Sequence, residues 1–390
     1  MKRARTTAIV LTALLVPALA ACTDSSKKPA ASQGGATSNV AATGADKLAG
    51  VCPSTVVVQQ DWEPEAEHSG VYSLIGRGYT IDANKKRVTG PLVIGGKDTG
   101  VKIQVRAGGS AIGFQGVTAE MYIDKSITLG AVSTDGAIGS SVTQPVTAVV
   151  SQLDKSPQML MWDPKSHPSW NSIADAGKSG STVLVSKGVD YASLLEEKGL
   201  IKPKQIDQGY TGAPSRFVTD PKIVQQGFAT AEPYIYQHEI KQWDKPVKYQ
   251  LLADVGYNIY PEALSVRTGE LSSLAPCLKK LVPILQQAQI DYLNNPGPTN
   301  NLITTAVEKF NDGWTYSTGV ANYAASTMKQ LGIVTDDASG ALGGMDLKRV
   351  QSAINTFGPI LKKGGAKVKS GLTAADIATD RFIDTHTKLD

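Results

Sequence analysis

Residues 55–75 read TVVVQQDWEPEAEHSGVYSLI. Residues 55–59 are a β-branched run of the kind that forms a strand buried on both faces. Residues 62–75 then read as a loop turning into a helix. A strand running straight into a helix is the repeating unit of an α/β sheet. The turn between them carries Asp61, Trp62, Glu63, Glu65, Glu67 and His68. Three chemistries suit that cluster: a metal site, an acid/base pair, or the lip of a binding pocket.

The same succession recurs along the chain. Residues 101–106 (VKIQVR) form a strand ending in Ala-Gly-Gly. Residues 127–132 form another, followed by Ser133-Thr134-Asp135 and a helix-like AIGSSV. Residues 182–186 (TVLVS) lead through Lys187-Gly188-Val189-Asp190 into a helix over 191–198. Two apolar runs, 146–151 and 249–255, interrupt the rhythm, and the chain returns through 263–267 (ALSVR). It then turns helical over 274–293, 300–312, 319–331, 347–363 and 374–389. This order predicts an α/β fold of two lobes, with mostly parallel sheets flanked by helices. Residues 48–143 and 260–390 make the first lobe and 144–259 the second, with two crossing strands as a hinge. Ligands in open α/β sheets sit at the carboxyl ends of strands, so two facing sheets make a cleft.

The amino terminus predicts export. MKRAR is followed by an apolar run over 8–21, too short to span a bilayer. Residues 1–21 therefore read as a signal peptide, ending in Leu19-Ala20-Ala21-Cys22, a lipobox-like stretch that predicts acylation of Cys22. Residues 22–47 have almost no branched aliphatic or aromatic side chains and are expected to be a flexible tether. The formal charge is +4. Removing Lys2, Arg3 and Arg5 with the signal takes it to +1, which argues against nucleic acid as a partner. With Cys22 lipidated, Cys52 and Cys277 remain outside the reducing cytosol. They form either a disulfide closing a very long loop or two independent buried thiols.

Several catalytic signatures fail. GPLVIGGKDT from Gly90 lacks the P-loop spacing and places Asp98 where Ser or Thr is required. Neither G-x-S-x-G nor H-E-x-x-H occurs, so no enzyme activity is expected. The histidines His68, His167, His238 and His386 make no close pair, so neither a metal nor a cofactor is expected. Acids in a first helical turn complement the helix dipole without any ligand, which is one account of Glu63 and Glu67. Trp62 and His68 are expected to line a pocket. Ser133, Thr134 and Asp135 either contact ligand or serve as a helix start, with Asp135 as N-cap. Tyr210, Glu232 and Tyr234 lie in GYTG and TAEPY segments that, with Trp62, suit a flat ligand. Glu232 and Asp135 would pair with a cation, and Arg106 with an anion.

Taken in order, the lipobox-like stretch, WEPEAEHSGVY (62–72), RGYTID (77–82), IADAGKSGSTVLVS (173–186), GFATAEPY (227–234) and LTAADIATDRFID (372–384) resemble solute-binding lipoproteins of bacterial ABC importers. The nearest branch is the nitrate, sulfonate, taurine and thiamine-precursor (hydroxymethylpyrimidine) group. The resemblance implies the type II periplasmic-binding-protein fold. It also implies a monomeric receptor, lipid-anchored on the extracytoplasmic face of the cell membrane, that captures a small solute and passes it to a membrane permease with its ATPase. In the thiamine-precursor branch the first loop reads W-x-P-N-x-x-H. Trp62, Pro64 and His68 match it, and Glu65 stands where the asparagine is expected. An enzyme on the same fold, or a surface scaffold with a vestigial cleft, are the alternatives.

Overall fold

The computed structural model describes residues 40–338 and 340–389. The expected signal peptide, Cys22 and the expected tether up to residue 39 lie outside the described residues. Residues 40–46, at the end of the expected tether, lie against the folded body. Val40–Ala41 (β1) pairs with a longer strand, and Lys280 Nζ donates to the carbonyls of Gly44 and Lys47.

The larger sheet contains β1, Thr55–Gln59 (β2), Thr80–Asp82 (β3), Arg87–Ile94 (β4), Lys97–Arg106 (β5), Leu129–Val132 (β6), Val146–Ser151 (β7) and Ala263–Arg267, which we number β13. Its order is β3-β4-β5-β2-β6-β13-β7, with β1 also on β5. The smaller sheet contains Gln158–Trp162 (β8), Val183–Leu184 (β9), Ile206–Asp207 (β10), Val224–Phe228 (β11) and Lys248–Leu251 (β12), in the order β10-β9-β11-β8-β12.

Both sheets are mixed, where sequence predicts mostly parallel ones. β2 runs parallel to β5 and β6, and β9 to β10 and β11. The antiparallel pairs have two causes. β4 and β5 are joined by Gly95-Gly96 alone, and both glycines have positive φ, as a two-residue type I′ hairpin requires. GPLVIGGKDT is therefore a hairpin. The other cause is the passage between sheets: β13 lies antiparallel to β6 and β7, and β8 antiparallel to β11 and β12.

The runs expected to cross between lobes are terminal strands. Residues 146–151 close the larger sheet and 248–251 the smaller. The chain crosses through 152–157 and 252–262. One side chain holds both crossings. Arg349 Nη1 donates to Asp154 Oδ1 at 3.0 Å, and Nη2 donates to the Ile259 carbonyl at 2.7 Å and to the Asp154 carbonyl. Its guanidinium lies 3.9 Å over the Tyr260 ring.

The helices cover these sheets. Helix Leu271–Asn294 continues through Pro276 and Pro283 and shares a core with Val56, Val58, Ile103 and Val105 of β2 and β5. Cys277 on that helix is disulfide-bonded to Cys52, just before β2. Helix Leu347–Lys363, which carries Arg349, buries Val350, Ile354 and Phe357 in a cluster shared with Trp162, Val183 and Leu194 of the other sheet's layer.

The tail departs from expectation. Only Ala374–Ile377 is helical, with a Thr373–Asp376 capping box. Beyond it the backbone is engaged by neighbours. Thr379 N donates to the Ala148 carbonyl, the Gln286 amide donates to the Asp384 carbonyl, and Leu342 N donates to the Thr387 carbonyl. These bonds take the groups a helix would have used.

Candidate functional site

The acidic turn sits where β2 ends. β2 is flanked by β5 and β6, and its exit passes under the Ala-Gly-Gly that follows β5. Gly108 N donates to the Trp62 carbonyl at 2.8 Å and Gly109 N to the Asp61 carbonyl at 2.9 Å. A Cβ on Gly108 would lie 2.3 Å from the Asp61 carbonyl carbon, so only glycine lets the two loops meet. This contact sets the direction of Asp61 and Trp62.

The helix begins later than the prolines and acids suggest. A 3₁₀ turn spans Ala66–His68, and the α-helix spans Ser69–Ser73. Glu65 is extended and its side chain caps nothing. Tyr316 Oη accepts from Ala66 N at 3.0 Å, and Trp314 Nε1 donates to the Pro64 carbonyl at 3.4 Å. The turn is therefore anchored from a loop 250 residues along the chain.

That anchoring turns the acids inward. Glu63 and Glu67 are both buried; Glu67 stands in the first turn of the 3₁₀ helix, as the helix-dipole account expects, and Glu63 precedes it. Glu63 accepts from Ser110 Oγ at 2.6 Å. Burial pushes the carboxyls of Glu63 and Glu67 up from their ordinary value.

His68 is wholly buried at the centre. Its Nε2 stands 3.1 Å from Asp61 Oδ1, 3.8 Å from Glu65 Oε1 and 3.7 Å from Glu262 Oε2. Glu262 arrives from the second crossing, immediately before β13. Gln152 on the first crossing donates to the Glu262 carbonyl and also faces Gln60. Burial holds Glu65 and Glu262 well above the usual carboxylate range. Glu67 and Asp61 add repulsion at both, and Glu262 and Glu232 add it at Glu65.

Glu232 comes from the smaller sheet, at the first turn of helix Glu232–His238 after β11. Its Oε2 accepts from Phe228 N at 2.6 Å. Burial, then the charge of Glu67, pushes its carboxyl up to about 7. Tyr210 is half-buried nearby, where burial and then the Glu232 charge push its phenol up. Two sheets thus turn carboxylates toward one another. Among the described residues no Lys or Arg forms a salt bridge with Asp61, Glu65, Glu67, Glu232 or Glu262, and His68 is the basic group beside them.

Trp62 stands at the rim, 38 % exposed. Phe114 lies at 5.9 Å and Trp314 meets it edge-on at 6.1 Å, with Tyr316 stacked on Trp314 at 6.3 Å.

Other expected site residues do other work. Arg106 is occupied: it donates to Gln104 Oε1, Asp124 Oδ2 and Ser126 Oγ at 2.8, 2.7 and 3.0 Å. The N-cap of helix Thr134–Ser140 is Ser133, whose Oγ accepts from Gly136 N, in place of Asp135. Asp135 is buried and accepts from Tyr257 Oη at 2.6 Å. Thr134 exchanges hydrogen bonds with the Tyr260 backbone. These residues secure the second crossing. Tyr234 packs on Tyr323 at 5.6 Å, against helix Thr318–Gln330. A Cβ on Gly319 would lie 2.2 Å from Tyr234 Oη.

Sequence reasoning missed Glu262, Trp314 and Tyr316 as site residues. Glu262 had one signal, a lone acid abutting the buried run ALSVR. Trp314 and Tyr316 had none, because only the tertiary fold brings them to Pro64 and Ala66.

No protein-family model matches the sequence, and no curated protein does. Among solved structures, the chain is similar to the periplasmic aliphatic sulphonate-binding protein SsuA of Escherichia coli. The TM-score is 0.53 at 11 % identity, over 87 % of this chain and 94 % of that one. It is similar also to the alkanesulfonate-binding protein SsuA of Xanthomonas axonopodis pv. citri bound to MOPS, with a TM-score of 0.50 at 11 % identity over 84 % and 98 %. At such identities the likeness establishes the architecture, a two-lobed periplasmic-binding-protein fold.

Proposed function

We propose that this chain is the extracytoplasmic solute-binding lipoprotein of an ABC importer, and that its solute carries positive charge. On this reading Cys22 is acylated, and the two lobes, one built on each sheet and joined by the crossings at 152–157 and 252–262, close on solute as a monomer. A membrane permease receives the solute and its ATPase supplies the energy.

The observation that carries the reading is the opposition of Glu65 and Glu67 on one lobe to Glu232 on the other. A charged solute held between them interacts with both lobes only when they are together. That differential affinity is what shifts a two-state equilibrium toward closure. The sign follows from the lining. Carboxylates raised by burial and mutual repulsion favour a cation, while Arg106, the expected partner of a sulfonate, is already bound to Asp124. Selectivity would thus differ from that of the sulphonate-binding proteins sharing the fold.

Fluorescence titration of the purified protein tests this. Organic and inorganic cations should change Trp62 emission saturably, and alkanesulfonates should not. Saturable sulfonate binding with no response to cations would overturn the charge assignment. Turnover of a bound compound would overturn the receptor reading in favour of an enzyme.

A further inference from the structure

We infer that Asp61, His68 and Glu262 bind one divalent first-row transition-metal ion. This deepens the proposed function by naming the cation, and it rests on that reading only for the claim that the ion is cargo.

Spacing is the first argument. Metal–ligand bonds of about 2.0–2.2 Å place tetrahedral donors about 3.3 Å apart. An ammonium nitrogen, at about 2.8 Å from each acceptor, needs acceptors spread to roughly 4.5 Å. Around His68 Nε2 the oxygens of Asp61 and Glu262 lie at 3.1 and 3.7 Å. The ligand atoms of Asp61, His68 and Glu262 all fall within 4.8 Å of one another. The set is compact enough for one bare ion to reach all three donors.

The second argument is independent of the clustering. Glu262 is 7 % exposed, and its Oε2, the atom facing His68, accepts no hydrogen bond. A buried carboxylate oxygen without a donor is costly. An ion between Glu262 and His68 removes that cost. The backbone that carries this carboxylate is held in place, since the Gln152 side chain and backbone N–H both donate to the Glu262 carbonyl at 3.4 Å.

The donor set narrows the ion. One imidazole with carboxylates suits Zn²⁺, Mn²⁺ or Fe²⁺, while the absence of thiolate from the set disfavours Cu⁺. Ca²⁺ takes all-oxygen shells of higher coordination number. Asp61, with its side chain 42 % exposed, is the side from which the ion enters. His68 Nδ1 has no partner, so the ring lacks the supporting hydrogen bond that strengthens many metal histidines.

The test is calorimetric titration of the chelator-treated full chain with ZnCl₂ and MnCl₂, and separately with tetramethylammonium chloride. One equivalent of metal should bind, with a rise in Tm. His68→Gln and Glu262→Gln should each weaken binding at least about tenfold, the scale on which metal sites lose affinity when their support is removed. Asp61→Asn, at the exposed side, covers the case in which a buried variant fails to fold. His386→Gln, at an exposed residue near the carboxyl end, should bind as the parent does. Metal binding unchanged in His68→Gln and Asp61→Asn, or lost in His386→Gln, would overturn the site. Tetramethylammonium binding without metal binding would overturn it too, leaving the cation-binding cleft intact. Binding of neither would remove both.

Discussion

Glu262 Oε2 and His68 Nε2 meet at 3.7 Å although one lies at the exit of the first long strand and the other where the chain re-enters the same sheet. β13 lies one strand away from β2 across β6. Placing the returning strand between β6 and β7 is what delivers the acid to the histidine. The site is therefore a product of the crossing topology, and its chemistry can be probed through the residues that hold the crossings.

The Glu232 carboxyl has an ordinary value of 4.5 and is pushed up to about 7. A raised folded-state pKa contributes stability that is complete below the unfolded value and is lost as pH rises through the folded one. The Tm of the metal-free protein is expected to fall between about pH 5 and about pH 8. Glu232→Gln keeps an acceptor for Phe228 N and should flatten that fall. A Tm profile of the variant superimposable on the parent's would refute the assignment.

Trp62→Ala should leave the fold nearly untouched, since the ring is 38 % exposed and exposed substitutions stay within about 0.5 kcal/mol. The emission change on adding cation should disappear. Circular dichroism and fluorescence on the same samples check both halves of this expectation.

The Cys52–Cys277 disulfide joins positions 225 residues apart. In the chain-entropy account, such a loop contributes about 5 kcal/mol by restricting the unfolded chain. Cys52→Ser with Cys277→Ser should lower the guanidinium midpoint accordingly. Both cysteines attach to the larger sheet's layer, so cation affinity should survive wherever the variant remains folded. Equal midpoints for variant and parent would contradict the expectation.

Arg349→Ala removes the donors from Asp154 and from the Ile259 carbonyl, in a site where the arginine is 13 % exposed. Leaving the Asp154 charge unpaired is expected to cost about 2–4 kcal/mol. Urea unfolding measures it. A loss under about 0.5 kcal/mol would mean that water replaces the guanidinium fully.

Local pattern made much of the scaffold legible. β2 and β13 and the helix Leu347–Lys363 occupy the residues that β-branched runs and amphipathic spacing assign to them. What stayed hidden depends on contacts distant in sequence. Residues 378–389 have helical composition, yet their backbone bonds to Ala148, Gln286 and Leu342. Asp135 resembles a cap, but Tyr257 claims its carboxylate and Ser133 caps instead. In the acidic turn, Trp62 and His68 could be picked out from the end of a buried strand. Burial of Glu63 and Glu67 could not, because Tyr316 and Trp314 impose it.

Gly319 is a notch. Tyr234 of the second lobe seats its ring where any β-carbon on residue 319 would stand, at 2.2 Å from the phenol oxygen. The two elements therefore meet at a keyhole one methyl deep, on the same short helix, Glu232–His238, that carries Glu232. A single added carbon there would push the tyrosine off its seat, so the tolerance of this contact is set by one missing methyl and not by a charge.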